Sequence, residues 1–455
     1  MPAWHRPVSA TTHKISVRYI LAFWLPLAAT WLMMGLEGPY ITAIVARLPD
    51  AAFNLAAYGI AFSIAWIVES PIMMVLTASN ALVRCRESLR ALRRFTYTLN
   101  AILTVVLAVV ALPPVFAGLA RLMNLPPEIA RLAHLATATT LAWPAAIGYR
   151  RFYQGLLVRA GLTHRVAYGT LVRLGTMSAV AALLAWRSSL PGAVIGAAAL
   201  SAGVVAEAAA SRRMARGVVR QLEATSRAAG QAPLTTAAII RFYSPLALTS
   251  VLSLITLPVI TFFMSHSRRP IESLAVLPVV NAFVFLFRSG GFAHQEVVVA
   301  LTGSRREHEP EMRTVTWLLG GLASGGLALV ALTRLADVWF QSVSGLTPEM
   351  AAFAIPPVRV LLLLPALEYL LAYQRGVLIL DHRTRVVTAG TAVEALGIGA
   401  ALVLCVSGLD LVGALAAAMA IMAGRSGANA FLAWQMGNFG GFHFPRPAGR
   451  GYDGP

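Results

Sequence analysis

Charge is what this chain has least of. Of 455 residues, 12% are Asp, Glu, Lys or Arg, about half of the roughly 25% found in a water-soluble domain. With 58% hydrophobic residues and a mean hydropathy of +0.70, the chain needs a solvent other than water. Lysine is nearly absent, Lys14 being the sole example, which reads as a compositional bias. The two cysteines, Cys85 in a basic loop and Cys405 in an apolar run, lie too far apart for a disulfide. The nine histidines show no metal-ligand spacing, so neither a metal nor a cofactor is expected. HExxH, GxSxG and Walker patterns are missing too, which argues against an intramembrane enzyme and against an ATP-driven pump.

What is present is a succession of apolar runs, each long enough for the ~20 residues that cross a bilayer as a helix. They fall at 18–46, 54–82, 98–120, 130–158, 164–187, 190–210, 236–265, 272–301, 314–336, 350–376, 386–407 and 409–434. The fold class expected is therefore all-α, a polytopic membrane protein of about twelve helices. The polar start leads into a full-length span rather than a short signal-peptide core, so the first helix is expected to be its own insertion signal. A basic, Gly- and Pro-punctuated stretch at 211–235 divides an N-lobe (18–210) from a C-lobe (236–434). Residues 1–17 and 435–455 are left as cytoplasmic tails. The last is too rich in Gly and Pro to form a span.

A net charge of +18 suggests nucleic acid until its distribution is read. Of 37 Lys and Arg, 26 lie in the two termini and in alternate loops (84–94, 150–165, 212–241, 305–313 and 375–385), and 7 in the other set. This is the positive-inside pattern. It places both termini and the basic loops in the cytoplasm of a cell-membrane protein, with membrane lipid rather than nucleic acid as the surrounding partner.

The two lobes repeat one another. FWLPLAAT at 23–30 recurs as FYSPLALT at 242–249, an offset of 219. At an offset of 221, Pro144–Ala145 matches Pro365–Ala366, Gly155 matches Gly376, Thr163 matches Thr384, and Gly169–Thr170 matches Gly390–Thr391. Shared apolar composition does not produce such registers. Each half has an even number of spans, so the repeats share one orientation, as in parallel-repeat transporters. Two of the repeated pairs are prolines inside spans, Pro26/Pro245 and Pro144/Pro365. Each removes a backbone donor and frees a carbonyl four residues back. The consequence is either a fixed kink or a hinge.

Ten charges fall inside the predicted spans: Glu37, Glu69, Glu207, Glu296, Glu368, Glu394, Arg173, Arg288, Arg359 and Arg425. Each costs about 2.5 to 3.5 kcal/mol at a helix centre, the contribution of around six leucines. Arg173 and Arg425 lie near enough to helix ends to snorkel, with Glu207 and Glu394 as their structural partners. Glu37, Glu69 and Glu368 are candidates for carrying a coupling H⁺ or Na⁺, or else for locking a lobe. Span eight carries Arg288, His294, Gln295 and Glu296. Arg288 and Glu296, eight residues apart, share a helix face. The guanidinium fork suits carboxylate and phosphate groups, so Arg288 and Arg359 point to a small anionic substrate, or to ion pairs with Glu296 or Glu368. Arg150 and Arg151, in IGYRRFYQG, are topology anchors or line the inner mouth of a cavity.

With these residues in view, QGLLVRAGLTHRVAYGT (154–170) resembles the span-four to span-five segment of multidrug-and-toxin-extrusion (MATE) exporters. Their superfamily of multidrug, oligosaccharidyl-lipid and polysaccharide (MOP) flippases has twelve helices in two lobes. FWLPLAAT, AYGIAFS at 57–63 and the PPVR element leading to Pro365 resemble segments of the progressive ankylosis (ANK) family of exporters. That resemblance implies export of small anions such as citrate, pyrophosphate or nucleotides by alternating access. It puts Arg359 on the family's Pro-x-Arg position and Glu296 near an acidic one. The expectation is a monomeric secondary exporter of anions. The alternative is a cation-coupled multidrug or lipid-linked flippase.

Overall fold

A computed structural model describes residues 15–437 apart from 46, 124, 228–231, 304–305 and 345. Among these residues the chain is helical, and an isolated bridge between Arg268 and Val412 stands in place of any strand. The first half contains α1 (Val17–Val45), then a second span made of α2 (Ala51–Glu69), a 3₁₀ turn over Ser70–Met74 and α3 (Val75–Leu82). Next come α4 (Arg86–Val110), the short α5 (Pro113–Leu122), and a fourth span split into α6 (Pro127–Thr139) and α7 (Trp143–Arg159). α8 (Thr163–Arg187) and α9 (Gly192–Met214) complete the set.

After the short α10 (Arg216–Ala224), the order recurs. It runs through α11 (Thr236–Ser265), α12 (Pro270–Leu301), α13 (Glu309–Ala331) and the one-turn α14 (Leu335–Asp337). A tenth span follows, split into α15 (Pro348–Val360) and α16 (Leu364–Leu380), then α17 (Thr384–Leu402) and α18 (Gly413–Gly437). Among the described residues, 11 helices are long and apolar enough to cross a membrane. The divided fourth span brings the set to twelve. Residues 1–14 and 438–455, which include most of both expected tails, lie outside the described residues.

The third and ninth spans begin earlier than hydropathy predicts, at Arg86 and Glu309 rather than 98 and 314. The first turns of α4, RESLRALRRFTY, are amphipathic. They bury Leu89 and Leu92 while Arg86 and Arg90 stay exposed, so an average over both faces reads as polar. The predicted third span also ran past Val110, where Pro113 instead starts a new helix.

The duplication is written into the backbone. Asp50 and Arg269, 219 apart, cap α2 and α12, and each has φ 53°, in the left-handed region. The breaks between α6 and α7 and between α15 and α16 begin after Thr139 and Val360, 221 apart. Pro144 and Pro365 therefore sit in the first turn of a half-helix, where a missing N–H costs nothing. Pro26 and Pro245 lie within continuous helices. Thr30 and Thr249 each donate back to the proline carbonyl at 3.0 Å, which accounts for the repeated Pro-x-x-x-Thr spacing. Gly155 and Gly376 also occupy equivalent close approaches. A Cβ on Gly155 would strike Ser79 and the Leu76 carbonyl of α3, and one on Gly376 would sit 2.6 Å from Val298 of α12.

Candidate functional site

The halves meet along α1 against α12 and along α11 against the Ser70–Met74 turn. Between them lies a cavity of about 260 Å³. Its apolar wall includes Trp31, Met34, Trp66, Met73, Leu254 and Phe292, and its polar lining comprises Arg151, Gln154, Gln295, Glu296, Glu368 and Arg375 with several hydroxyls. A second cavity of about 330 Å³ lies within the C-terminal half, among α11, α12, α16, α17 and α18. Its charged lining is Arg288, Arg375 and Arg425 against Glu368 and Glu394, an excess of one positive charge.

Two buried ion clusters flank these spaces. In the first half, Arg150 of α7 bonds Glu207 of α9, which also accepts from Gln154 Nε2 at 2.9 Å. Arg173 of α8 reaches Glu37 of α1 at 2.5 Å and Glu207 at 3.6 Å. In the second half, Glu368 lies 2.6 Å from Arg288 and 2.8 Å from Arg425. Glu394 is 2.8 Å from Arg425 and 3.8 Å from Arg375. Arg375 also donates to Thr391 Oγ1 at 2.7 Å. One equivalent position belongs to both clusters with reversed sign, Arg173 matching Glu394 at an offset of 221. Arg288 of the second cluster is matched at 219 by Glu69, which joins no ion pair among the described residues. Neither Glu37 nor Glu207 lines either cavity, whereas every member of the second cluster lines at least one.

Arg151 differs from the other buried arginines. It is 5% exposed and lines the central cavity, and no carboxylate lies within 4 Å of it among the described residues. Its guanidinium stands 5.6 Å from the Trp31 ring centre and 3.6 Å from Met73 Sδ, and its Nε has no partner. The carboxylates of Glu207, Glu69 and Glu296 act on it only from beyond contact distance, so this buried guanidinium keeps part of its desolvation cost, which an anion entering the cavity would offset.

The cross-lobe hydrogen bonds gather toward the end of the bundle that carries the basic loops. Trp24 Nε1 donates to the Gly290 carbonyl at 2.9 Å, and the Tyr243 hydroxyl donates to the Pro71 carbonyl. Trp24 and Tyr243 are equivalent positions at offset 219, as are Pro71 and Gly290. The two bonds are thus one interaction made twice around a pseudo-two-fold axis. Deeper toward the same end, Glu296 accepts from Thr77 Oγ1 and from Asn80 Nδ2, the latter at 3.1 Å.

The sequence-derived site residues therefore separate. Arg151, Gln295, Glu296, Glu368 and Arg288 line cavities, while Arg150 and Glu37 are locked in ion pairs. Glu69 is 4% exposed and forms no ion pair among the described residues. His294 is fully buried, with Nε2 2.8 Å from Thr316 Oγ1, and faces away from both cavities. Arg359 is exposed, and its Nε donates to the Ala331 carbonyl at 3.3 Å. It serves the open end of α13 and belongs to neither cavity. Arg288 pairs with Glu368 rather than with Glu296, because Glu296 is turned toward α3. Arg173 and Arg425 are paired, not snorkelling. Sequence reading missed Arg375, classed with the basic loops. Its register with Gln154, which lines the same cavity, was the available signal.

No protein-family model matches this sequence, and no curated protein matches it. Solved structures do. The fold is that of the MATE transporters of the MOP superfamily. An outward-facing multidrug resistance MATE transporter aligns at a TM-score of 0.74 and 14% identity, covering 94% of this chain and 97% of that one. A MATE protein in a bent conformation aligns at 0.73 and 16% identity, over 93% and 95% of the two chains. A MOP superfamily transporter from Pyrococcus furiosus, described as having a binding pocket of reverse polarity, aligns at 0.74 and 13% identity, over 96% and 100%.

Proposed function

We propose that this protein is a secondary active transporter that exports small organic anions by rocking two lobes about the central cavity. The observation that carries the reading is Arg151, a buried, unpaired guanidinium on the wall of a cavity between two repeated halves. An anionic group docks there, and the body of the solute lies against Trp31, Trp66 and Phe292. Those walls favour an anion with an apolar or aromatic part over a wholly polar one, so nucleotide-like or aromatic carboxylates fit better than citrate or pyrophosphate. The ANK-type resemblance at 23–30 and 57–63 agrees with anion export. The second cavity adds a net excess of one positive charge, Arg288, Arg375 and Arg425 against Glu368 and Glu394.

A second reading, a cation-coupled multidrug or lipid-linked flippase, is favoured by the methionine- and tryptophan-rich wall together with Glu296 and Glu368. The two differ in the sign of the solute. Flux of labelled citrate, ATP, an aromatic carboxylate and an aromatic ammonium cation into proteoliposomes, with H⁺ or Na⁺ gradients, separates them. Saturable anion flux lost in Arg151→Gln supports the first reading. Cation flux indifferent to that change supports the second.

A further inference from the structure

Thr77 and Glu296 are equivalent positions, 219 apart, and they touch each other. A contact between a position and its own repeat lies on the pseudo-two-fold axis, where the two halves meet head-on. The duplicated Trp24–Gly290 and Tyr243–Pro71 bonds flank this point. The axis contact has lost its symmetry, because one half supplies a hydroxyl and the other a carboxylate.

Two donors from the opposite half hold the Glu296 side chain, Thr77 Oγ1 and Asn80 Nδ2 on α3, and the neighbouring Gln295 of α12 adds a third. Asn80 Nδ2 also reaches the Glu296 backbone carbonyl at 3.0 Å, and the Asn80 carbonyl is held by Arg159 of α7 at 2.8 Å. Gln295 Nε2 reaches the same Thr77 hydroxyl at 3.5 Å. Unlike Glu207, Glu368 and Glu394, Glu296 has no basic group within 4 Å among the described residues. It also lines the central cavity. Other charged groups around that space are Arg151 of α7 and Glu368 and Arg375 of α16. Arg288 lies two turns along α12, and α11 contributes the Tyr243 hydroxyl, engaged with Pro71.

We infer that Glu296 is the proton-carrying latch of the transport cycle: as a carboxylate it clamps α12 to α3 at the basic-loop end, and as a neutral acid it releases them. Charge-assisted hydrogen bonds are about twice as strong as neutral ones, so adding the proton weakens both bonds to α3 at once. The proton enters from the cavity onto a Glu296 carboxylate oxygen. It leaves on the other side once the halves have parted there, and the re-formed carboxylate closes the clamp. One proton crosses per cycle, the carboxyl O–H is the only covalent bond made and broken, and the Thr77 and Asn80 hydrogen bonds open and re-form with it. This inference supplies a coupling step for the transporter proposed above, but its test needs no substrate.

Spin labels placed through Arg90→Cys on α4 and Arg313→Cys on α13, in a Cys85→Ala, Cys405→Ala background, report the distance between the halves at the basic-loop end. Both labelled positions are exposed. In lipid nanodiscs the expected result is a single short distance at pH 8.5 and a growing longer one toward pH 5. In Glu296→Gln the longer distance should be populated at every pH, with the pH response reduced at least tenfold. Asn80→Ala should keep a pH response while raising the longer population several-fold at pH 8.5. A distance that ignores pH in the unmutated protein, or a full response retained in Glu296→Gln, overturns the latch. Neither result bears on whether anions are carried. Anion flux alone decides that, so the two proposals fail separately.

Discussion

The first-half ion cluster gives the most quantitative prediction. Arg173→Met removes the partner 2.5 Å from Glu37, while Glu207 keeps Arg150 and Gln154. Glu37 is 5% exposed, and one of its carboxylate oxygens already lacks a partner. Stranding a buried charge in this way costs about 3 to 5 kcal/mol. Glu37→Gln alone leaves Arg173 its longer contact to Glu207 at 3.6 Å and should cost less, about 1 to 3 kcal/mol. If the pair acts as a unit, Arg173→Met with Glu37→Gln recovers about 1 to 3 kcal/mol relative to the sum of the single changes. Reaction of the buried thiols Cys85 and Cys405 with a fluorogenic maleimide during heating in detergent reads out unfolding. The expected order of midpoints is wild type, then Glu37→Gln, then the double variant level with or above Arg173→Met. Strict additivity, or a single Arg173→Met variant as stable as wild type, would refute the idea that this cluster locks the first lobe.

Three other outcomes follow from the same geometry. Trp24→Phe and Tyr243→Phe each delete one of two equivalent cross-lobe hydrogen bonds, worth about 0.5 to 1.5 kcal/mol. Each should shift the inter-lobe distance distribution about two- to tenfold toward opening at the basic-loop end, as seen by the same spin labels. Gly376→Ala places a methyl 2.6 Å from Val298 and should cost about 1 to 3 kcal/mol by overpacking, lowering the maleimide-monitored midpoint. Arg359→Ala, at an exposed position outside both cavities, should leave anion flux within about twofold of wild type, since surface changes stay within about 0.5 kcal/mol.

Much of this was legible in the residues. Hydrophobic runs mark the spans because lipid leaves backbone groups no partner but their own helix. The repeat registers of 219 and 221 reappear as matching helix starts, matching breaks and paired left-handed caps. The start of α4 escaped because an amphipathic stretch averages to a polar one. The site was half legible. A charge inside a span shows that something polar surrounds it, but not which of several helices supplies the partner. Spacing along α12 put Arg288 and Glu296 on one face, yet Arg288 turns to Glu368 within its own lobe and Glu296 turns across the axis to Thr77. Intra-helix spacing carries no information about such rotations of neighbouring helices. For Arg359, a motif match stood in for geometry, and the exposed end of α15 is where the residue lies.

Anion export by this protein depends on Arg151 meeting the solute in the central cavity. Flux of a labelled aromatic carboxylate into proteoliposomes, wild type against Arg151→Gln and Arg151→Lys, puts that to the test most directly. Saturable uptake should fall at least tenfold in Arg151→Gln and recover partly in Arg151→Lys. Equal uptake in all three proteins, or accumulation of the matching ammonium cation instead, would contradict it.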